Sequence, residues 1–153
     1  MWHSADGMGW WMVLGSMYLH TRALSWPALV VSLVPGCLIM ALAVVNAIPD
    51  YHQDRLVGKR NLCVRLGRRR AVTLYVGLAA AGLFIVPVAV VAGLLPWPCL
   101  AALFAVPLLV KSGRVARITY ETPRAFVPAV RHVVTCYLVA VLLVIAGLLV
   151  HAA

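Results

Sequence analysis

An all-α, multi-span transmembrane helix bundle of about five spans is the fold this sequence predicts, and three observations carry the prediction. Hydrophobic residues make up 64% of the 153 positions and charged residues 11%, with a mean hydropathy of +0.99. Soluble domains average about 45–50% apolar and about 25% charged. The apolar residues fall into five runs, most of them close to the ~20 residues that carry a helix across a bilayer. The cations gather between those runs, where membrane topology is marked. The length suits a single transmembrane domain over residues 1–153 and leaves no room for a second, soluble one.

The first run, about Met8 to Leu19, starts almost at the first residue and is short for a span. The second, Trp26 to Ile48, has Ser25 as a candidate N-cap and Pro27 in its first turn, where proline is tolerated. Pro35-Gly36 within it predicts a kink, because the proline ring removes a backbone hydrogen bond. The third run is Ala71 to Ala92, interrupted by Pro87. A tight turn around Gly93 and Pro96-Trp97-Pro98 leads to the fourth, Leu94 to Val110. Thr122-Pro123 reads as a cap plus first-turn proline for the fifth, which extends from about Val127 to Val150.

Charge orients these spans. Residues 51–70 carry Arg55, Lys59, Arg60, Arg65, Arg68, Arg69 and Arg70, and residues 111–131 carry Lys111, Arg114, Arg117, Arg124 and Arg131. Two spans separate the basic stretches, so both lie on one side. The turn at 93–98 has no cation and the turn at 20–25 has only Arg22. The positive-inside rule predicts a multi-pass protein of the cell (inner) membrane, with both basic loops cytoplasmic. The net charge of +9 is thus a topology signal, and the expected partner is membrane lipid rather than nucleic acid. Residues 1–7 lack the basic start of a secretory signal, so none is expected. Cys37, Cys99 and Cys136 lie in apolar runs and Cys63 in the basic stretch. With no Cys-x-x-Cys or His-ligand spacing, zinc and redox chemistry are excluded and the four read as small buried hydrophobes.

Asp50 and Asp54 are half of the carboxylate side chains; Asp6 and Glu121 are the others. On a helix, positions four apart share a face, and two like charges there repel by a few tenths of a kcal/mol. No Lys or Arg stands three or four residues beyond either Asp to relieve that. A shared cation would convert the repulsion into a binding site, and Mg²⁺ is the hard-ion candidate for a carboxylate pair. Gly58-Lys59 does not complete a P-loop, since Gln53 and Arg60 occupy positions that need Gly and Ser or Thr. A pair of acids followed by cations suits a metal-bridged polyanion such as a diphosphate. Arg68 to Arg70 read as topology markers and anionic-lipid contacts. Glu121 reads as a helix-start acid, and the tryptophans as interface anchors. Of the scattered histidines, only His52 lies within reach of the aspartates.

The stretch Asn46-Ala47-Ile48-Pro49-Asp50-Tyr51-His52-Gln53-Asp54-Arg55, continuing through Gly58-Lys59-Arg60-Asn61 to Val64-Arg65-Leu66-Gly67, resembles the second aspartate-rich motif of the UbiA-type intramembrane prenyltransferases. Its form is closest to the branch that includes 1,4-dihydroxy-2-naphthoate polyprenyltransferase of menaquinone synthesis. The resemblance implies a fold of nine transmembrane helices around a lipid-open cavity, with two aspartate-rich motifs at its cytoplasmic mouth. It implies a polyprenyl diphosphate donor held through Mg²⁺ and an aromatic acceptor that captures the allylic cation. Asp50 and Asp54 would be the catalytic metal–diphosphate ligands. Arg55 and Lys59 would hold diphosphate oxygens, with Arg65 as a further candidate, and Asn46 fits the motif's leading polar position.

The family's first motif, of Asn-Asp-x-x-Asp type, has no counterpart here, and the chain resembles the family from about its fifth helix onward. It is therefore expected to be the C-terminal half of a longer enzyme. The alternatives are a chain that needs a second chain to supply the first motif, and a truncated non-catalytic membrane protein that binds anionic lipid or a partner subunit. A transporter would use proline-broken spans, but no internal repeat supports one.

Overall fold

The structure, a computed structural model, describes residues 26–152. Every regular element among them is helical. Helix α1 is Trp26–Ala47, α2 Tyr51–Leu56, α3 Leu62–Leu66 and α4 Arg68–Val91; a 3₁₀ helix Trp97–Ala105 follows, then α5 Val106–Thr119 and α6 Pro123–Ala152. Three segments, Arg68–Val91, Trp97–Thr119 and Pro123–His151, are long and apolar enough to cross a membrane. At 22 residues, α1 extends about 33 Å and contains the shorter apolar helix Ser32–Ala47. The predicted all-α membrane bundle is the fold found. The run Met8 to Leu19 lies outside the described residues, as do Asp6, Arg22 and Ser25.

The basic stretches are more ordered than loops. Residues 51–70 hold α2, α3 and the start of α4, and in residues 111–131 only Tyr120, Glu121 and Thr122 separate two helices. Helix α5 runs nine residues past the hydropathic end at Val110 because its periodicity continues there. Leu109, Ser112, Gly113 and Ala116 are buried, while Lys111, Arg114 and Arg117 lie on the exposed face. Averaged hydropathy mixes those two faces; a helix separates them. Helices α1, α4 and α6 run on through Pro35, Pro87 and Pro128.

Small side chains set the helix spacing. On α6 the residues Phe126, Ala129, Val133, Cys136, Ala140, Val144 and Gly147 are buried, three or four apart, and form a seam facing the 3₁₀ helix and α5. In the 3₁₀ helix, Cys99, Ala102 and Ala105 are buried at intervals of three, one per turn of that tighter geometry. A Cβ on Gly147 would lie 2.7 Å from the Cys99 backbone nitrogen, so only glycine permits this approach. The thiols of Cys99 and Cys136 donate to the carbonyls of Val144 and Ala105. Backbones brought close by small residues replace the hydrophobic drive that lipid does not supply.

One buried polar tie joins three helices. The Ser112 hydroxyl donates to the Ala129 carbonyl at 2.7 Å. Its single proton is thereby used, so the Tyr75 hydroxyl, 3.2 Å from Ser112 Oγ, must be the donor to it. The tie locks α4, α5 and α6 together near the end of the bundle that carries the basic residues.

Candidate functional site

The aspartate pair sits where α1 stops. Pro49 cannot donate to a continuing helix, and Ile48-Pro49-Asp50 forms a turn into the single short helix α2. The Asp54 amide donates to the Asp50 carbonyl at 2.9 Å, which places the two carboxylates one helical turn apart, as their spacing predicts. Asp50 is exposed and its side chain does not cap α2. Asp54, by contrast, is only 8% exposed.

A glycine cap then folds the chain back on Asp54. Gly58 has φ +73°, its amide donates to the Arg55 carbonyl at 3.3 Å, and the Lys59 amide donates to the Asp54 carbonyl at 2.8 Å. This is the paired-bond arrangement of a Schellman motif, which needs a left-handed residue at the glycine position. The reversal carries Lys59 Nζ to 3.1 Å from Asp54 Oδ1. The Gly-Lys pair is thus a helix stop followed by a cation aimed at the preceding acid.

Asn61 completes the arrangement. Its Nδ2 donates to Asp54 Oδ2 at 2.7 Å, and its Oδ1 accepts from the Val64 amide at 2.8 Å as the N-cap of α3. Both oxygens of Asp54 are therefore engaged by neighbours within seven residues. Asn61 was not among the residues expected to build the site. Its signal is the ordinary one for a helix start, an Asn immediately before an apolar run, hidden by a helix only five residues long.

The expected ligands are dispersed around this core. Asn46 is exposed in the last turn of α1, Arg55 is exposed on α2, and Arg65 is exposed in the last turn of α3. Of the expected cations, Lys59 is the one brought onto Asp54. Arg68, expected only as a topology or lipid contact, has a defined place. Its guanidinium lies 5.4 Å from the centroid of Tyr51, adjacent to Asp50, and its Nη1 donates to the Glu121 carbonyl at 3.0 Å. It clasps the aspartate segment to the α5–α6 turn and fixes both basic stretches at one end of the bundle. His52 packs edge-on against Tyr51 at 5.4 Å. Cys63 is buried beneath the site. Burial pushes its thiol up to about 11, with Arg68 lowering it and Asp54 raising it further.

The donors available to a divalent ion here are the two carboxylates. Among the described residues, no group of three or more His, Cys, Asp or Glu side chains gathers to hold a metal. Mg²⁺ is bound in phosphate-handling sites through one or two carboxylates, with substrate oxygens and water completing the octahedron. Asp50 and Asp54 supply that number, and an ionised carboxylate offers about four lone-pair sites, so Asp54 retains acceptor capacity beside Lys59 and Asn61.

Comparison with known proteins identifies the family. The UbiA prenyltransferase family matches residues 4–134. The chain is 34% identical over 111 residues to a 1,4-dihydroxy-2-naphthoate octaprenyltransferase of Mycobacterium tuberculosis (strain ATCC 25618 / H37Rv), an alignment that takes in 69% of this chain and 37% of that protein. The chain thus spans little more than a third of the length of the curated relative it matches. No solved structure matches it. With a family match over most of its length, and folded as an all-helical bundle with three helices long and apolar enough to cross a membrane among its described residues, the chain belongs to the UbiA prenyltransferase family.

Proposed function

We propose that this chain forms part of an intramembrane aromatic prenyltransferase of quinone biosynthesis, in which Asp50 and Asp54 help to hold the diphosphate of a polyprenyl donor. The observation that carries the proposal is the aspartate pair, one turn apart, at the basic end of long apolar helices in a member of this family. The relative's name supplies the acceptor class, a dihydroxynaphthoate-type ring. As the chain spans 37% of that relative, the whole reaction is assigned to the assembly that contains it, whether a longer polypeptide or a complex with a second chain.

In the proposed reaction the donor's allylic carbon–oxygen bond breaks, and the electron pair leaves with the diphosphate. A ring carbon of the acceptor supplies the pair for the new carbon–carbon bond, and the ring then loses a proton. Mg²⁺, when bound, supplies positive charge that neutralises the departing diphosphate. Asp50 and Asp54 present carboxylate oxygens for it. Asn61 fixes the Asp54 carboxylate, so that one of the two is held in place before a ligand arrives. Arg55 and Lys59, with Arg65 and Asn46 as outer candidates, provide donors for phosphate oxygens. The apolar bundle excludes water that would quench the allylic cation. We place the basic end of the bundle on the cytoplasmic side of the cell membrane, by the asymmetry of cations between the two ends.

The test is thermal stability of the assembly in detergent, with Mg²⁺ and a non-hydrolysable prenyl diphosphate analogue. A shift is expected that requires both additions and is lost in Asp50→Ala and in Asp54→Ala. An equal shift in those variants refutes the assignment of the aspartates.

A further inference from the structure

Beside the Arg68 clasp, α4 and the end of α5 flank an open cavity of about 290 Å³ lined by Arg69, Val72, Thr73, Arg117 and Tyr120. We propose that this cavity is a phosphate site, for the headgroup of an anionic phospholipid or for free phosphate. The inference does not rest on prenyl transfer.

Four observations on the page converge on it. Arg69 and Thr73 stand four apart in the first turns of α4, and Arg117 and Tyr120 three apart at the end of α5, so each pair shares a helix face. The lining therefore presents two guanidiniums and the Tyr120 hydroxyl from two helices, beside a Thr73 hydroxyl that donates to the Arg69 carbonyl at 3.5 Å, and no acid. Neither Arg69 nor Arg117 is in an ion pair among the described residues, unlike Lys59. The position is also that of a headgroup: Arg69 is the second residue of α4 and Arg117 lies two residues before the end of α5. Arg69 stands two residues before the apolar run that starts at Ala71, and Arg117 seven residues beyond the one that ends at Val110, so both lie on the watery side of the apolar layer. Finally, the volume corresponds to roughly ten waters at about 30 Å³ each, enough for a phosphate and its ester neighbours. Basic pockets between membrane helices at this level recognise phospholipid headgroups. Guanidiniums add directional, paired hydrogen bonds to phosphate oxygens beyond simple charge attraction.

The geometry separates this site from a diffuse basic surface. Arg70 and Arg114, at the same end of the same two helices, are exposed as Arg69 and Arg117 are, but do not line the cavity. A general field effect weighs each surface cation alike, at about 1 kcal/mol; a built site does not. Tyr120 contributes a donor without charge, so its removal leaves the field untouched.

The experiment uses the full 153-residue chain in neutral detergent. Thermal stability is titrated with short-chain phosphatidylglycerol, with short-chain phosphatidylcholine, and with inorganic phosphate. A saturable shift is expected with phosphatidylglycerol and not with phosphatidylcholine. The doubly substituted Arg69→Gln/Arg117→Gln chain should bind at least about a hundredfold more weakly, at ~1.5 kcal/mol or more for each of two lost charged hydrogen bonds. Tyr120→Phe should weaken binding by about tenfold, the loss of one hydrogen bond from an uncharged donor to a charged acceptor. The Arg70→Gln/Arg114→Gln comparator carries the same net charge and should remain close to the parent. A matching shift with inorganic phosphate, lost in the same variants, identifies free phosphate as the source; a shift confined to phosphatidylglycerol identifies the lipid. Equal weakening in both double variants, or no effect of Tyr120→Phe, reduces the cavity to unspecific charge and overturns the proposal. No shift with either phosphate source overturns it too.

Discussion

Replacing Asn61 separates two jobs that one side chain performs. In Asn61→Ala, α3 loses its N-cap acceptor, at a cost of about 1 kcal/mol, and Asp54 loses a hydrogen bond to a charged acceptor, about 1.5–3 kcal/mol. The two do not add fully. Lys59 remains 3.1 Å from the other oxygen, and at 8% exposure the freed oxygen lies near enough to the surface to recruit a water. A net loss of about 2–3 kcal/mol follows, or roughly 4–12 °C in Tm at ~2–4 °C per kcal/mol for a chain of this size. Asn61→Asp keeps the cap, since Asp and Asn serve equally there, but turns the donor to Asp54 into a second carboxylate. Without metal it should be at least as destabilised as the Ala variant. Mg²⁺ should then restore more stability to Asn61→Asp than to the parent, because the two facing carboxylates need a cation. Circular-dichroism melts in detergent, with Mg²⁺ and with a chelator, read all three chains. An Asp variant as stable as the parent in chelator would show that the Asn61–Asp54 bond does not hold the site together.

Three further outcomes are expected. Gly58→Ala places a Cβ at φ +73°, which costs about 1–2 kcal/mol, and loosens the turn that delivers Lys59 to Asp54; a melt and an Mg²⁺–diphosphate titration should both weaken. Gly147→Ala drives a Cβ against the Cys99 backbone at 2.7 Å, so the 3₁₀ helix and α6 must part, at about 1–3 kcal/mol; a Tm equal to the parent's would refute that close approach. The Cys63 thiol, raised to about 11 by burial, keeps its proton in the fold at pH values where an unfolded thiol, near 8.5, has lost it. The stability this gives is complete below about pH 8.5 and is lost as pH rises through about 11, on the order of 3 kcal/mol in all. Between those limits Cys63→Ala should lose less stability per pH unit than the parent.

How legible the molecule is in its sequence differs from element to element. The membrane class follows from composition and the helical runs from their continuity, because unbroken apolar stretches of about 20 residues satisfy their backbone in lipid as helices, whereas barrel strands are shorter and alternate. The turn at Gly93 and the start of α6 at Pro123 were readable from local chemistry that needs no distant partner. The end of α5 was not: its cations lower the hydropathy of a segment whose buried face stays small and apolar to Ala116. The 3₁₀ helix was hidden too, since its geometry answers to a glycine some fifty residues away on α6.

For the site, the sequence by itself determined the acid pair, its one-turn spacing, the basic surroundings and the family resemblance, all properties of residues adjacent in the chain. Tertiary structure decided which aspartate is buried and which stays open, that Lys59 returns to Asp54 while Arg55 remains exposed, and that Asn61 braces the carboxylate. It also turned Arg68 from one cation in a run of three into the clasp between two distant segments. The physical reason is directional: hydrogen bonds and ion pairs depend on where backbone reversals point side chains, and neither composition nor spacing fixes the direction of a turn once several residues intervene.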